Sequence, residues 1–351
     1  IIEKGINIKK KKKKCYYECV LKFGRIVGGE MKRILLVVTI LMLILSCGKE
    51  GAKQNTDEGK AQGKAEYKIG ITQIVAHPAL DSAREGFKKA FEEAGIKAEF
   101  DEKNANGEVA TANLIANNFV NSKVNMIYAI ATSTAQAASQ STSELPVVFS
   151  AITDPESAGL IKENVTGISD RVDIKQQLQL LLKLDSKIKK VGVIYNSSEQ
   201  NSKVQVEDLK KAAQELGVSI VEKSITQVSE IPQATEALIR ESDAIYLPTD
   251  NLVASVVNLI TEKAVSAKKI VFGAESAHVK GGALITQGID YYEMGKEAGK
   301  VAIEILKEGK KPSEIKYKKM DLNDIVINSK TLKALGIALP EDVKSKAELV
   351  E

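Results

Sequence analysis

The stretch VNMIYAIATSTAQAASQST, residues 124–142, joins an apolar run to a cluster of hydroxyl residues and then to an alanine-containing segment. Its first part, VNMIYAIA, contains β-branched and aromatic side chains and predicts a buried strand. Residues 133–142 predict a short helix, and the hydroxyl side chains of 132–134 lie at the junction. A strand that turns directly into a helix is the repeating unit of α/β folds, so this stretch indicates that class.

The same alternation of strand and helix continues on both sides of this stretch. It forms one block at about 67–165 and a second block at about 170–280. Because alternation at this spacing predicts parallel sheets with helices on both faces, we expect two similar α/β lobes. The predicted strands span 67–73, 96–105, 124–131, 146–152, 189–196, 218–225, 243–250, 269–275 and 282–290, and the predicted helices span 79–95, 108–122, 133–142, 173–185, 201–216, 231–240, 251–267 and 291–308.

Length and charge narrow the class of protein. A chain of 351 residues exceeds what one hydrophobic core usually organises, so two domains are expected. The net charge of +4 depends on the six consecutive lysines at 9–14, and without them the balance is slightly acidic. A nucleic-acid partner needs a localised basic surface, so we expect none.

The three cysteines, Cys15, Cys19 and Cys47, all lie in the N-terminal part of the chain. The CxxxC spacing of the first two has no second pair and therefore does not predict a zinc site. Neither GxGxxG nor GxxxxGK[ST] occurs in the α/β body. We therefore expect no metal and no cofactor, and a body held by its core rather than by disulfides.

Residues 31–46 have the pattern of a secretory signal peptide. The segment begins with the basic MKR, and the twelve residues that end at Leu45 are apolar except for Thr39. Twelve residues are too few for a transmembrane helix, which needs about 20. The sequence LSC resembles a bacterial lipobox, which implies lipidation of Cys47. The alternatives are a short buried helix and an uncleaved signal anchor.

The segments on either side of this signal are not expected to be part of the fold. The chain begins with Ile, and GGE at 28–30 fits a translated purine-rich ribosome-binding site. Residues 1–30 are therefore interpreted as a non-native upstream extension, with a basic arm as the alternative. Residues 47–65 have no large apolar side chain and predict a flexible tether.

Polar residues follow the predicted strands in both blocks. In parallel sheets the carboxyl ends of the strands line the default ligand crevice. Hydroxyls and free N–H groups at 132–134 form a candidate anion site, although a plain helix N-cap explains them equally well. Similar positions predict a lined cleft at Thr153, Asp154, Asn196, Ser197, Ser198, Thr249, Asp250 and Asn251.

These residues do not predict an enzyme. The two histidines, His77 and His278, follow strand ends, but a catalytic histidine needs a nucleophile and an orienting carboxylate. The motifs GxSxG and HExxH do not occur. We expect His77 to form hydrogen bonds with a ligand or with the loop backbone.

Several segments of the body match one family pattern: GITQIVAHPALDSAREGFKKAFEEAG, AIATSTAQAA, VVFSAITDPESAGL, NVTGISDRVDIKQQLQLL, VGVIYNSSEQNS, AIYLPTDNLV and GIDYYEMGKEAGKVAIEILKEGKKPSEI. They resemble the substrate-binding lipoproteins of ABC importers, in the group associated with tryptophan and other aromatic amino acids. The resemblance implies the periplasmic-binding-protein type I fold, with two Rossmann-like lobes joined by a three-segment hinge. Lobe 1 would comprise 66–168 and about 284–320, and lobe 2 would comprise 169–283 and about 321–351.

The resemblance also implies roles for the candidate side chains. Thr132, Ser133 and Thr134 would bind a ligand carboxylate. Asp154 or Asp250 would bind the ligand ammonium through charge-assisted hydrogen bonds. Further residues would line the cleft: His77, Thr153, Tyr195, Asn196 and Asn251. Asp170, near the hinge, could either bind the ammonium or line the cleft.

An aromatic ligand needs a flat apolar slot. The candidates for such a slot are Tyr128, Phe149, Tyr195 and Phe272, all of which could equally belong to the core. The aromatic preference therefore depends on the resemblance alone.

The resemblance implies that an aromatic amino acid, tryptophan first, is captured between closing lobes and delivered to ABC permease and ATPase subunits. The protein would then lie outside the cytoplasmic membrane, held by a lipid on Cys47. Three alternatives remain open. The first is a receptor for another small solute, namely another amino acid, a nucleoside or a sugar. The second is a tethered ligand sensor, and the third is an enzyme.

Overall fold

The computed structural model describes residues 65–321 and 325–351. The predicted extension, the signal peptide, Cys47 and the tether up to residue 64 lie outside these residues. The strands are β1 (Tyr67–Gln73), β2 (Ala98–Asn104), β3 (Met126–Ile130), β4 (Val147–Ile152), β5 (Val165–Ser169), β6 (Lys190–Asn196), β7 (Ser219–Ile225), β8 (Ala244–Leu247), β9 (Ile270–Gly273), β10 (Ile285–Gln287), β11 (Lys318–Lys319), β12 (Ile325–Asn328) and β13 (Ala347–Val350).

The helices connect these strands. None of those in the described ranges is both long and apolar enough to cross a membrane. They are α1 (Pro78–Glu93), α2 (Val109–Asn121), α3 (Thr132–Ser141), α4 (Ile174–Leu184), α5 (Gln200–Leu216), α6 (Ile231–Glu241), α7 (Asn251–Ala254), α8 (Val257–Ser266), α9 (Ser276–Lys280), α10 (Tyr291–Glu308), α11 (Ser329–Leu335) and α12 (Glu341–Lys344), with short 3-10 helices at Val228–Glu230 and Pro312–Glu314.

The strands form two sheets, and each sheet is the centre of one lobe. The sheet of lobe 1 has six strands in the order β11-β5-β4-β3-β1-β2, and its strands pair in parallel. The sheet of lobe 2 has seven strands in the order β13-β12-β10-β9-β8-β6-β7, with β10 and β12 antiparallel. The predicted α/β class with two mostly parallel sheets is therefore confirmed.

The chain passes between the lobes after β5, after β10, and between β11 and β12. The second passage comes after Gln287, a few residues later than the predicted boundary at about 284. The reason is that residues 285–287 pair with β9 and β12 and so belong to the sheet of lobe 2. The passages after β5 and β10 bring segments of both lobes together at the base of the cleft.

Helices α1 and α10 pack closely together on lobe 1. A Cβ atom on Gly86 of α1 would lie 2.0 Å from the carbonyl oxygen of Tyr292. A Cβ atom on Gly295 of α10 would lie 2.0 Å from the carbonyl oxygen of Ala83. Glycine is therefore required at both positions, because any side chain would push the two helices apart.

Three of the four aromatic candidates for a ligand slot belong to the hydrophobic cores. Tyr128, Phe149 and Phe272 are 0%, 1% and 0% exposed. The ring of Tyr128 stacks on Phe87 with 3.8 Å between ring centroids. A ligand could not reach these rings without breaking tightly packed interiors.

Two features of the secondary structure differ from the sequence prediction. The predicted helix at 251–267 divides into α7 and α8, because Val256 leaves the helical region with φ −136° and ψ 27°. The strands β5, β11, β12 and β13 had no counterpart in the prediction. Each has only two to five residues, which is too short for a periodic pattern to stand out.

Candidate functional site

A small cavity lies between the lobes, beside the carboxyl ends of the strands. Its volume is ≈ 10 Å³, about the space of one water molecule. Five of the predicted cleft residues line it: His77, Asp170, Thr249, Asp250 and Asn251. The other lining residues are Leu80, Ala151, Asn201, Ala254, Glu275 and Tyr291.

His77 projects from lobe 1 toward lobe 2, just before α1. It is 6% exposed, and its Nε2 lies 3.3 Å from Asn251 Oδ1 across the cleft. Burial lowers the pKa of His77 to about 4, although the contact with Asn251 and the charge of Asp81 raise it. The ring is therefore neutral at pH 7, with Nε2–H donating to Asn251. Its buried Nδ1 has no partner and is left as an acceptor.

Asp250 has both carboxylate oxygens occupied by donors of lobe 2. It caps α7, with Oδ1 accepting from the Val253 N–H at 2.9 Å. Its Oδ2 accepts from the Asn196 N–H at 2.5 Å and from Ser202 Oγ at 2.7 Å. Burial, followed by the charge of Glu199, raises the pKa of Asp250 to about 7. This carboxyl group joins three loops and helix ends of lobe 2.

Glu199 extends this network and is one of the residues that sequence reasoning missed. It accepts from the backbone N–H groups of Asn251 at 3.1 Å and Leu252 at 3.2 Å. The side-chain amides of Asn251 and Asn201 also donate to it. Asn251 is therefore held between Glu199 and His77, which fixes the orientation of its amide.

Asp170 and Tyr291 form the floor of the cavity, where two passages between the lobes meet. Asp170 accepts from Tyr291 Oη at 2.8 Å and from Thr153 Oγ1 at 3.1 Å. Thr153 in turn accepts from Gln205 Nε2 of lobe 2 at 3.0 Å. Burial raises the pKa of Asp170, although these hydrogen bonds lower it. Glu275, which follows β9, lines the same floor and is 2% exposed.

The start of α3 lies beside the end of β4, next to the cavity. Ala131, which precedes the helix, has φ 83° and ψ 158°, a conformation that is strained for any residue except glycine. Its N–H donates to the carbonyl of Ser150 at 3.1 Å. Ala151, also at positive φ (59°), lines the cavity. Two strained alanines at adjacent strand ends mark this edge of lobe 1 as a functional candidate.

The three hydroxyl residues at the start of α3 differ in whether their hydroxyl groups are already used in hydrogen bonds. Thr132 is 1% exposed, and its Oγ1 is buried without a hydrogen-bond partner. Ser133 is half-buried. The Oγ1 of Thr134 donates to the carbonyls of Ile130 at 2.6 Å and Ala131 at 2.9 Å. Thr134 therefore secures the strand-to-helix turn, and Thr132 has the hydroxyl that is free for a ligand.

Asp154, Tyr195 and Asn196 do not line the cavity. Asp154 binds Arg171 at 2.9 Å, and Arg171 also binds Asp208 of lobe 2 at 2.6 Å. Tyr195 packs against the core of lobe 2 and donates to Glu222 at 3.4 Å. The side chain of Asn196 closes its own turn by accepting from the Ser198 N–H.

The structure adds Glu275, Tyr291, Asn201, Gln205 and Glu199 to the candidate site. Glu275 follows a predicted strand, so the rule that found Asp250 could also have found it. Tyr291, Asn201 and Gln205 lie on helices, where no local pattern separates them from other polar residues. Only the packing of the lobes brings them to the cleft.

The chemistry of the site is that of recognition. In the part of the chain that the structure describes, no three or more His, Cys, Asp or Glu side chains are placed to hold a metal ion. The cavity is lined by carboxyl groups, amides, hydroxyls and one neutral imidazole. Such a set orients a small polar molecule by hydrogen bonds and charge.

Sequence comparison links this architecture to a known family. The family described as ABC transporter substrate binding protein matches residues 68–351. The chain is also 40% identical over 311 residues to a tyrosine-binding protein from Clostridioides difficile, covering 86% of this chain and 90% of that protein.

Two solved structures support the same relationship. An ABC domain from Streptococcus pneumonia in complex with L-Trp has a TM-score of 0.78 and 33% identity, covering 81% of this chain and 99% of that chain. The ligand-free, open structure of a substrate-binding protein with adhesive properties from Clostridium difficile has a TM-score of 0.63 and 41% identity, with the same coverage. The fold is the type I periplasmic-binding-protein fold that the resemblance implied. The chain therefore belongs to the family of ABC transporter substrate-binding proteins.

Proposed function

We propose that this protein is an extracytoplasmic receptor that captures an aromatic amino acid between its lobes for an ABC importer. The observation that carries the proposal is the TM-score of 0.78 to a structure in complex with L-Trp, over 81% of this chain. In addition, buried polar side chains of both lobes converge on one cavity, as recognition of a zwitterion requires. The permease and ATPase partners follow from the family.

Tryptophan and tyrosine are the two ligands that the relatives favour. Tryptophan is the ligand of the structure that is 33% identical to this chain. Tyrosine is named for the relative that is 40% identical. Tyrosine therefore joins the predicted tryptophan as a first candidate.

Capture requires the lobes to separate, because a cavity of ≈ 10 Å³ has no room for an aromatic side chain. The contacts of His77 with Asn251 and of Gln205 with Thr153 would then break. The comparison supports this motion. This chain is more similar in structure to the L-Trp complex than to the open relative, although the open relative is closer in sequence. We therefore assign the lobe arrangement seen here to the closed form of a hinge motion.

The start of α3 is the proposed site for the ligand carboxylate. A helix N-terminus has free N–H groups and a partial positive charge, both of which favour an anion. Thr132 adds a buried hydroxyl without a partner, and Ser133 adds a second hydroxyl. Thr132→Val should weaken binding about tenfold, since it leaves a carboxylate oxygen without a donor.

Cys47 is the proposed lipid attachment site, which would hold the receptor at the outer side of the cytoplasmic membrane. The basic and apolar pattern of 31–46 and the LSC sequence support this proposal. Metabolic labelling with a fatty-acid analogue should mark the wild-type protein and not the Cys47→Ala variant. Equal labelling of both would refute the assignment.

Calorimetry and thermal unfolding of the chain from residue 48 onward test the ligand class. We expect tryptophan or tyrosine to bind with one ligand per chain and to raise the melting temperature. Alanine and a pentose serve as controls and should do neither. If tryptophan, tyrosine and phenylalanine all leave the melting temperature unchanged, the proposed ligand class is wrong.

A further inference from the structure

The strand β4 contains a bulge near its carboxyl end, where it reaches the cavity. The register of β4 against β5 shifts between Phe149 and Ile152. As a result, Ser150 and Ala151 lie opposite the single residue Ile168 of β5. A bulge bends a strand and re-aims its side chains, and bulges are frequent beside functional sites. Ala151, which lines the cavity, therefore belongs to a local departure from regular sheet geometry.

The bulge places a backbone N–H against a sulfur atom. The N–H of Ala151 donates to the thioether of Met294 in α10, with 3.2 Å between nitrogen and sulfur. The two residues are 7% and 0% exposed, so water cannot take the place of the sulfur. A buried backbone N–H needs an acceptor. Because Ala151 also has a strained φ of 59°, its conformation persists only while its surroundings hold it.

Two further contacts hold the bulge from the side of the sheet. Ser150 Oγ lies 2.6 Å from Tyr128 Oη in the core of lobe 1. On β5, a Cβ atom at Gly167 would lie 2.1 Å from the carbonyl oxygen of Phe149, so only glycine fits against the bulge. The sheet therefore fixes one side of the bulge, and the contact with Met294 fixes the side that faces α10.

The bulge connects Met294 to two parts of the candidate site. Ala151 lines the cavity directly. The carbonyl of Ser150 accepts from the N–H of Ala131 at 3.1 Å, and Ala131 precedes α3, whose start is the proposed carboxylate site. Met294 itself is not one of the residues that line the cavity. Any effect of its sulfur on a ligand must therefore act through the backbone of β4.

Helix α10 holds this sulfur in a fixed place. Tyr291, one turn before Met294, donates to Asp170 on the floor of the cavity at 2.8 Å. Gly295, the residue after Met294, packs so closely on α1 that a Cβ atom there would lie 2.0 Å from the carbonyl oxygen of Ala83. A helix packed this closely cannot shift without breaking the core. The acceptor that it presents to β4 is therefore rigidly placed.

We propose that Met294 is a positioning residue of the ligand site, whose sulfur holds the β4 bulge in the conformation that shapes the cavity wall and orients the start of α3. This inference rests on the proposed function, because it takes the ligand to lie between this wall and α3. An apolar side chain of the same size would fill the space but leave the N–H of Ala151 unpaired. The bulge would then relax until that N–H found another acceptor, and the wall would move.

The test is calorimetry of the full chain, purified in mild detergent, with L-tryptophan and L-tyrosine. Met294→Leu keeps an apolar side chain of similar size and removes the sulfur. We expect it to bind about tenfold more weakly than the wild type, because a displaced wall no longer fits the ligand. Met126→Leu is the matched control. Met126 is also 0% exposed in the core of lobe 1, but it lies at the amino end of β3, away from the cavity, so this variant should bind as wild type.

Met294→Gln separates the acceptor from the packing. The amide oxygen of glutamine can replace the sulfur as acceptor, whereas its buried N–H groups lower the stability of the core. We therefore expect Met294→Gln to melt at a lower temperature than Met294→Leu and yet to bind the ligand more tightly. If Met294 served only the stability of the core, affinity would follow the melting temperature instead.

Hydrogen exchange provides a measurement that needs no ligand. The amide of Ala151, followed by NMR, should exchange at least about tenfold faster in Met294→Leu than in the wild type, because it has lost its acceptor. Met126→Leu should exchange at this amide as the wild type does. The same measurement decides the matter if Met294→Gln does not fold.

The outcomes separate this inference from the proposed function. If the wild type binds an aromatic amino acid and the two leucine variants bind it with equal affinity, the inference is wrong and the proposed function stands. A folded Met294→Gln that binds as weakly as Met294→Leu would also overturn it, since the acceptor would then not matter. If the wild type binds no aromatic amino acid, the proposed function is wrong. Unchanged exchange at Ala151 in Met294→Leu would refute the role of the sulfur in either case.

Discussion

Two groups of buried acids flank the cleft, and they differ in how their oxygens are satisfied. In lobe 2, every carboxyl oxygen of Asp250 and Glu199 accepts at least one hydrogen bond. On the floor, Asp170 accepts two hydrogen bonds, but Glu275 Oε1 accepts none. An acid whose oxygens are all occupied holds the fold together, whereas an acid with a free oxygen is available to a ligand. The number of donors, rather than position at a strand end, separates the two roles.

The largest expected effect is a loss of protein stability when Asp250, an acid whose oxygens all accept hydrogen bonds, is replaced. Asp250→Ala leaves the N–H groups of Asn196 and Val253 and the hydroxyl of Ser202 without their acceptor. We expect the free energy of unfolding in urea to fall by about 3–6 kcal/mol, since each buried orphan costs about 1–3 kcal/mol. Glu275→Gln, which resembles the protonated acid, should change it by less than about 1 kcal/mol near pH 4.5. Equal losses in both variants would end the distinction between the two groups.

The next effect is a pH dependence of stability that comparison with Glu275→Gln isolates for the floor group. The folded pKa of Glu275 is about 8, above the ordinary value of 4.5, so the folded state keeps a proton that the unfolded state releases. This contribution to stability is fully present below about pH 4.5 and is lost as the pH rises toward 8. From pH 5.5 to 7.5, wild type should lose about 2 kcal/mol relative to Glu275→Gln. A constant difference in free energy between the two across this range would contradict the raised pKa.

A smaller effect compares two buried hydroxyls. Ser202 Oγ donates to Asp250, whereas Thr286 Oγ1 in β10 is buried without a partner. Ser202→Ala should lower the free energy of unfolding by about 1–2 kcal/mol, because it removes a hydrogen bond to a carboxyl group. Thr286→Val should leave it unchanged or raise it, because the valine buries no polar atom. The reverse order, measured in urea, would show that the hydrogen-bond assignment of the two sites is wrong.

The smallest effect concerns two acids, one in each lobe, that form ion pairs with the same arginine. Arg171 joins Asp154 of lobe 1 to Asp208 of lobe 2 at the hinge. Arg171→Met should weaken ligand binding about threefold to tenfold by removing two partly exposed ion pairs that favour closure. Lys175→Met removes an exposed pair within lobe 2 and should leave binding unchanged. Calorimetry that gives the same affinity for both variants would exclude a role of Arg171 in closure.

Much of the architecture could be predicted from the order of residues. Strand and helix periodicity is a local property, so the α/β class and the position of polar residues at strand ends followed from it. His77, Asp170, Asp250 and Asn251 do line the cavity. The short strands at 165–169 and 325–328 escaped prediction because few residues carry the pattern.

The roles within the site could not be predicted in this way. Asp154 and Asp250 have the same local setting, a turn after a buried strand. Asp154 nevertheless forms an ion pair with Arg171, whereas Asp250 accepts hydrogen bonds from three donors of lobe 2. Tyr195 lies near a strand end, within β6, and packs beside the lobe 2 core. Most partners of the two aspartates lie far along the chain: Arg171 is 17 residues from Asp154, and Ser202 and Asn196 are 48 and 54 residues from Asp250. No local pattern reports such partners.

The sequence by itself therefore determined the α/β class, the family and the edge of each sheet on which the candidate site lies, because these depend on local periodicity and on recognisable segments. Only the tertiary structure decided which acids are saturated and which retain a free oxygen. It brings Asp170 after β5, Glu275 after β9 and Tyr291 at the start of α10 onto one floor. The physical reason is that the free energy of a buried carboxyl depends on the donors around it, and the packing of the two lobes supplies or withholds those donors.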